Sequence, residues 1–159
     1  MHNRRAFLRT GAAASALLFG LRAANAETKF KVTFTDAEWR AKLTPAQYAI
    51  LRKSGTERPF SSPLNDEHRA GIFACAGCTL QLFSSTTKFD SGTGWPSFYA
   101  PLENAVGQED DHSFGMDREA VHCAQCGGHL GHVFPDGPPP TGQRYCMNGL
   151  AMTFQPKAA

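Results

Sequence analysis

The chain has 159 residues, 16 Lys and Arg against 14 Asp and Glu, a formal net charge of +2 and 42% hydrophobic residues. That supplies apolar material for one packed core and too little length for two ordinary domains. The near balance of charge argues against recognition of nucleic acid or an anionic surface by bulk charge, and five cysteines leave one that pairing does not absorb.

In chain order, residues 1–26 read as a segment outside the fold. "NRRAFLR" is a basic run, "GAAASALLFGL" an uncharged stretch, and "ANA" a small-residue cleavage site ending at Ala26. The apolar stretch is far short of the roughly 20 residues of a membrane span, so no stable membrane insertion is expected. The adjacent Arg4 and Arg5, followed by Phe7, Leu8 and Arg9, point to a twin-arginine export signal and a periplasmic destination. A chance Arg-Arg in a general secretory signal is the alternative. Residues 27–159 then form the single domain. Because residues 1–26 hold four arginines and no acid, that domain is slightly acidic, with 12 basic and 14 acidic residues.

"KFKVTF" alternates as a short extended lead-in would. "TDAEWRAKL" predicts a short helix capped by Thr35 or Asp36. "LTPAQYAILRKSG" predicts a second, with Thr44 at the N-cap, Pro45 in the first turn and Gly55 stopping it. Beyond residue 56 the helical period disappears. "GIFAC", "TLQLF", "SFYAP", "AVGQE", "SFGMDREAVHC", "GHVF" and "RYCMNGLAMTF" are short, rich in β-formers and separated by turn residues. The body therefore reads as mainly β, antiparallel, with a helical N-terminal flank. "PDGPPPTG" reads as a proline-rich surface loop between two strands.

Cys75 and Cys78, then Cys123 and Cys126, form two Cys-x-x-Cys pairs separated by 44 residues. Four thiolates are the ligand number of a closed tetrahedral zinc site, which would be structural because it keeps no open position. Two local disulfides or a redox dithiol are the alternatives, and export favours disulfides. A twin-arginine route resembles machinery that carries folded proteins, so the metal could be loaded before export.

Cys146 stands alone in "RYCMNG". If this stretch is a strand, Arg144, Cys146 and Asn148 share one face, and Tyr145 and Met147 the other. A cation beside a thiol lowers its pKa and raises its reactive fraction. The alternative is a buried core cysteine. His129 and His132 in "GGHLGHVF" are candidates to exchange protons near pH 7. At spacing three a regular strand would send them to opposite faces, so Gly131 is where a bulge or sharp twist would bring both to one site. In a regular strand only one of them can serve. His68, His112 and His122 carry no comparable context. Trp95, between Gly94 and Pro96, is either a lid over the core or the wall of a binding site.

"GTERPFSSPL", "CAGC", "FDSGTGWPSF", "CAQCGGHLGHVFPDGP" and "RYCMNGLAM" occur in the order found in the methionine-R-sulfoxide reductases of the B type, and the chain resembles that family from about residue 34 to 154. The resemblance implies two antiparallel sheets, one structural zinc ion on the four paired cysteines, and an outward-facing active site. It puts the nucleophile at Cys146, the histidine pair at His129 and His132, and the indole that holds the substrate methyl at Trp95. Supporting polar residues fall at Asp136, Arg144 and Asn148. It implies oxidised proteins or peptides as substrate and a sulfenic acid on Cys146 as intermediate; nothing in the sequence demands an oligomer, and a monomer is expected. Many relatives carry a resolving cysteine just before "GWPSF"; here the residue is Thr93. An external thiol, a thioredoxin-like protein or a small molecule, is therefore the expected reductant. A zinc cysteine borrowed as resolver is the rival route. A zinc-held β binding module without catalysis and a general thiol peroxidase are the rivals for the function itself.

Overall fold

The computed structural model describes residues 30–158. The export signal expected at 1–26 lies outside them, as does the start of the extended lead-in. The rest of that lead-in joins neither sheet, and Val32 N–H donates to the Gln125 carbonyl at 3.0 Å.

Two short helices come first. In α1 (Asp36–Lys42), Thr35 and Glu38 form a capping box, with acids in the first turn and bases in the last. In α2 (Pro45–Lys53), Thr44 and Gln47 form another, with Pro45 in the first turn. The residue that ends α2 in the left-handed conformation is Ser54, one position before Gly55, whose N–H closes the last turn on the Ala49 carbonyl at 3.0 Å. Trp39, Tyr48, Ile50 and Leu51 are buried beneath the pair.

The body is mainly β, in two antiparallel sheets. β1 (Gly71–Cys75) lies between β2 (Gln81–Ser84) and the last strand, β9 (Met152–Pro156). The larger sheet runs β3 (Lys88–Phe89), β4 (Ser97–Phe98), β8 (Arg144–Met147), β7 (His129–Phe134), β6 (Arg118–Cys123) and β5 (Val106–Asp111). An aromatic core holds the sheets together: Phe98 of β4 stacks on Phe83 of β2 at 4.3 Å and meets Phe73 of β1 edge-on at 4.9 Å. Tyr145 and Met147 point inward from β8, as period two requires, and Cys146 points outward. Pro135–Gly142 connects β7 to β8 outside any strand.

Between His129 and Gly131 the pairing of β7 with β6 slips by one residue: Val121 faces Gly131 while His122 faces His129. This bulge puts Leu130 and Val133 into the core and turns His129 and His132 to a common side, their ring centroids 5.3 Å apart. Gly131 is required there, because a Cβ would run into the Cys146 carbonyl and the Met147 Cα of β8.

Candidate active site

β8 sits between β4 and β7, so Cys146 faces Ser97 on one side and His132 on the other. Residues opposed in this way hold their Cβ atoms about 4.5–5.5 Å apart. A pocket of about 140 Å³ opens over Cys146, with His132, Trp95, Asn148, Thr56 and Arg118 among its walls. Cys146, His132 and Trp95 are half-buried. The indole stands in place because its Nε1–H donates to the Glu57 carbonyl at 3.2 Å. The turn beneath it needs Gly94 (φ +88°), since a Cβ there would lie 2.8 Å from the Phe60 backbone nitrogen.

The expected site residues divide into an inner and an outer group. His129 does not line the Cys146 pocket. It lines an adjoining cleft that His132 also borders, is 8% exposed, and its Nε2 has no partner. Burial, and secondarily the neighbouring His132, push its pKa down to about 4. His132 Nε2 lies 2.8 Å from Asp111 Oδ2. Arg118 Nη2 donates to the same oxygen at 2.7 Å, and Ser113 N–H to the other at 2.9 Å. Ser113, with His132 and Arg118 in addition, holds the Asp111 carboxyl well below the usual carboxylate range. The second nitrogen of His132 is thereby left for the pocket.

Arg144 and Asp136 form a two-pronged ion pair at 2.8 and 2.9 Å, with the guanidinium 4.4 Å above the Phe134 ring. Neither lines the pocket. Sequence reasoning expected a neighbouring cation to lower the Cys146 pKa, and Arg144 acts in that direction, but burial outweighs it. Burial pushes the thiol up, and the Thr93 hydroxyl and the Arg144 charge only partly oppose it. Thr93 Oγ1 is 3.9 Å from Cys146 Sγ.

Asn148 reaches the pocket, yet its amide is engaged at both ends. Oδ1 accepts from Glu57 N–H at 2.9 Å, and Nδ2 donates to the Leu130 carbonyl at 3.0 Å. Glu57 is the residue that sequence reasoning missed. It is buried, its carboxylate accepts from Gly149 N–H at 2.5 Å and Leu150 N–H at 3.0 Å, and its own backbone holds Asn148 and Trp95. The one available signal was an acid inside "GTERPF". Asp111 was missed as well, a strand-end acid among others in "EDD".

The paired cysteines form a separate centre. Cys75 ends β1 and Cys123 ends β6. Each pair closes a tight turn: Thr79 N–H donates to the Cys75 carbonyl at 2.8 Å and Gly127 N–H to the Cys123 carbonyl at 2.9 Å, with Thr79 (φ +63°) and Gly127 (φ +67°) left-handed. The four sulfurs lie within 4.8 Å of one another, and none is in a disulfide. Zn–S bonds of about 2.3 Å place tetrahedral sulfurs about 3.8 Å apart. Cys75 to Cys126 is 3.8 Å and Cys78 to Cys123 is 3.5 Å. These contacts run between the pairs, which suits one four-thiolate site and not two local disulfides.

Comparison with known proteins agrees with this arrangement. The SelR domain family matches residues 43–156. The peptide methionine sulfoxide reductase MsrB of Agrobacterium fabrum is 55% identical over 130 residues, 81% of this chain and 96% of its own length. Its counterpart in Pseudomonas putida is 58% identical over 128 residues, 80% and 96% of the two chains. That of Thiobacillus denitrificans is 56% identical over 124 residues, 77% and 94%. A match of that depth over most of the chain and nearly all of each relative means that the chain belongs to the SelR-domain family of peptide methionine sulfoxide reductases.

Proposed function

We propose that this protein reduces the R epimer of methionine sulfoxide in oxidised proteins, with Cys146 as nucleophile and an external thiol as reductant. The observation that carries the reading is the pocket in which Cys146 lies beside His132 and beneath Trp95. Trp95 gives an apolar wall for the substrate methyl and so selects the epimer. The Cys146 thiolate attacks the sulfoxide sulfur while His132, oriented by Asp111, delivers a proton to the sulfoxide oxygen. The S–O bond breaks as hydroxide passes to Cys146, methionine leaves, and Cys146 is left as sulfenic acid, oxidised by two electrons. A thiol condenses with it and releases water; a second thiol displaces the first as a disulfide and restores Cys146. Thr93 offers a hydroxyl and no resolving sulfur, which supports the external route. Asn148, Arg144 and Asp136 act as positioning residues.

Cys75, Cys78, Cys123 and Cys126 would hold one zinc ion, a closed site that ties the end of β1 to the end of β6 and contributes folding free energy. The basic and apolar run at 1–26 supports export to the periplasm by a twin-arginine route, where the substrates would be envelope proteins. The test is a single turnover without reductant, with R and S methionine sulfoxide offered separately. The expected result is about one methionine per protein, from the R form only, with one oxygen mapped to Cys146. Equal yield from both forms, or none from either, rejects the reading. Activity recovered only in the cytoplasmic fraction of the native host rejects the export.

A further inference from the structure

Next to the Cys146 pocket runs a second, larger cleft of about 460 Å³ that shares Thr56, Arg118 and His132 with it. One wall is the end of α2, and the other is β5 with the turn that joins it to β6. Three features of this cleft are not used by the reaction at Cys146. His129 is 8% exposed and brings an unpartnered Nε2 to the lining. A buried ring nitrogen without a partner is costly, and a main-chain amide offers both the donor and the acceptor to satisfy either tautomer. Glu109 shares the strand face of Asp111, by period two, and so looks toward His132. Asp111 is neutralised by Arg118, whereas Glu109 enters none of the ion pairs among the described residues. At the tip of the turn Phe114 is 91% exposed with φ +55°, a conformation that a bulky side chain rarely adopts and that a solvent-facing phenyl does nothing to offset.

We infer that this cleft receives the polypeptide flanking the oxidised methionine and favours a neighbouring arginine, whose guanidinium pairs with Glu109 and stacks on Phe114. The inference rests on the reductase reading above and extends it to the sequence around the substrate residue. Arginine suits the site better than lysine because one planar group can meet a carboxylate at its edge and a ring on its face. The charge of the lining agrees: three carboxylates stand against Lys53 and Arg118, and the Lys53 ammonium is directed over the Tyr48 ring at 5.6 Å.

The test uses the zinc-loaded protein with dithiothreitol as reductant. Substrates are blocked pentapeptides with R-methionine sulfoxide at the centre and Arg, Gln or Glu at each other position in turn. Free R-methionine sulfoxide, too short to enter the cleft, is the reference. At one position or more, the Arg peptide should exceed the Glu peptide in kcat/KM by about fivefold, the upper range for an exposed pair, and 0.5 M NaCl should shrink the ratio. Glu109→Gln and Phe114→Ala should each lower it at that position. Equal kcat/KM for all peptides, or a preference that survives both substitutions, overturns the inference even if free R-methionine sulfoxide is reduced normally. A change confined to the KM for the thiol would assign the cleft to the reductant and also overturn it. No turnover of the free sulfoxide by the unsubstituted protein would instead remove the reductase reading itself.

Discussion

Five cysteines serve two regions of this molecule, and the regions treat the same side chain in opposite ways. Around Cys75, Cys78, Cys123 and Cys126 the backbone does most of the arranging: two left-handed turns at strand ends bring four sulfurs within 4.8 Å, and one side chain, Arg52 of α2, donates to the Cys126 carbonyl at 3.0 Å. Around Cys146 the backbone supplies a regular strand, and side chains from five other segments supply the environment. The first arrangement suits a group that must never react, the second a group that must be oxidised and recovered. Thiol chemistry is thus decided by what stands opposite the sulfur, not by the residue.

The sharpest way to break that comparison is to remove one cysteine from each region. Cys123→Ser should forfeit the proposed zinc ion, and a structural zinc contributes on the order of 10 kcal/mol of apparent binding free energy, comparable with the whole stability of a domain. The expected outcome is a protein that lacks zinc by elemental analysis and the cooperative thermal transition of the parent. Cys146→Ser should abolish methionine release in a single turnover while keeping one zinc per chain and a melting temperature within a few degrees. A Cys123→Ser protein that melts like the parent would show that the packed core holds the two sheets together without the metal.

Next in size is Glu57, through which the two loops over Cys146 are joined. Glu57→Ala leaves Gly149 N–H and Leu150 N–H without the carboxylate they share, at about 1–3 kcal/mol for each buried donor. Urea unfolding should record a loss of about 3 kcal/mol, and Glu57→Gln, which keeps one acceptor oxygen, about half of it. Because the Glu57 carbonyl also holds the Trp95 indole, the R-over-S preference should fall in the same order. Preference intact in a destabilised Glu57→Ala protein would detach Trp95 from that tie.

The histidine of the adjoining cleft gives an effect that is confined to acid pH and has a definite sign. His129 has a pKa of about 4 in the folded protein, where burial keeps it neutral, against about 6.5 when unfolded. Above pH 6.5 both states are neutral and the group contributes nothing to the pH dependence. As pH falls from about 6.5 toward 4 the unfolded chain takes up the proton and the folded chain does not, so about 3 kcal/mol of stability is lost across that window. Urea midpoints measured from pH 7 to 4 should fall less steeply in His129→Gln. Parallel curves for the two proteins would mean that His129 titrates normally in the fold.

Much of this was readable from the residues because the signals are local. Strand period placed Arg144 and Cys146 on one face of β8, with Asn148 just past its end, Thr44 and Pro45 marked a helix start, and two Cys-x-x-Cys pairs specified four ligands. What escaped depends on partners distant in the chain. A bulge was expected at Gly131, but its position between His129 and Gly131 is set by the register against β6. The net effect at Cys146 was not legible because a neighbouring cation is visible in a hexapeptide while burial is not. Glu57 escaped for the same reason: the partners of its N–H and its carboxylate are more than 90 residues away. Asn148 looked like a free amide beside a thiol, and only the fold reveals that both of its ends are engaged.

The finest adjustment concerns Arg144 and the reactivity of Cys146. Burial raises the thiol pKa, and the guanidinium partly counters it. The rate of alkylation by iodoacetamide should therefore rise with pH to a midpoint on the alkaline side of an ordinary thiol. Arg144→Met removes the counterweight and should move the midpoint higher still, cutting alkylation at pH 7 several-fold. Arg144→Lys keeps the charge but loses the two-pronged grip on Asp136 and the planar contact with Phe134, so it should recover only part of the rate. If Arg144→Lys restored the parent rate in full, charge alone would account for the residue. If Arg144→Met left the midpoint in place, the cation would bear on the substrate and not on the thiol.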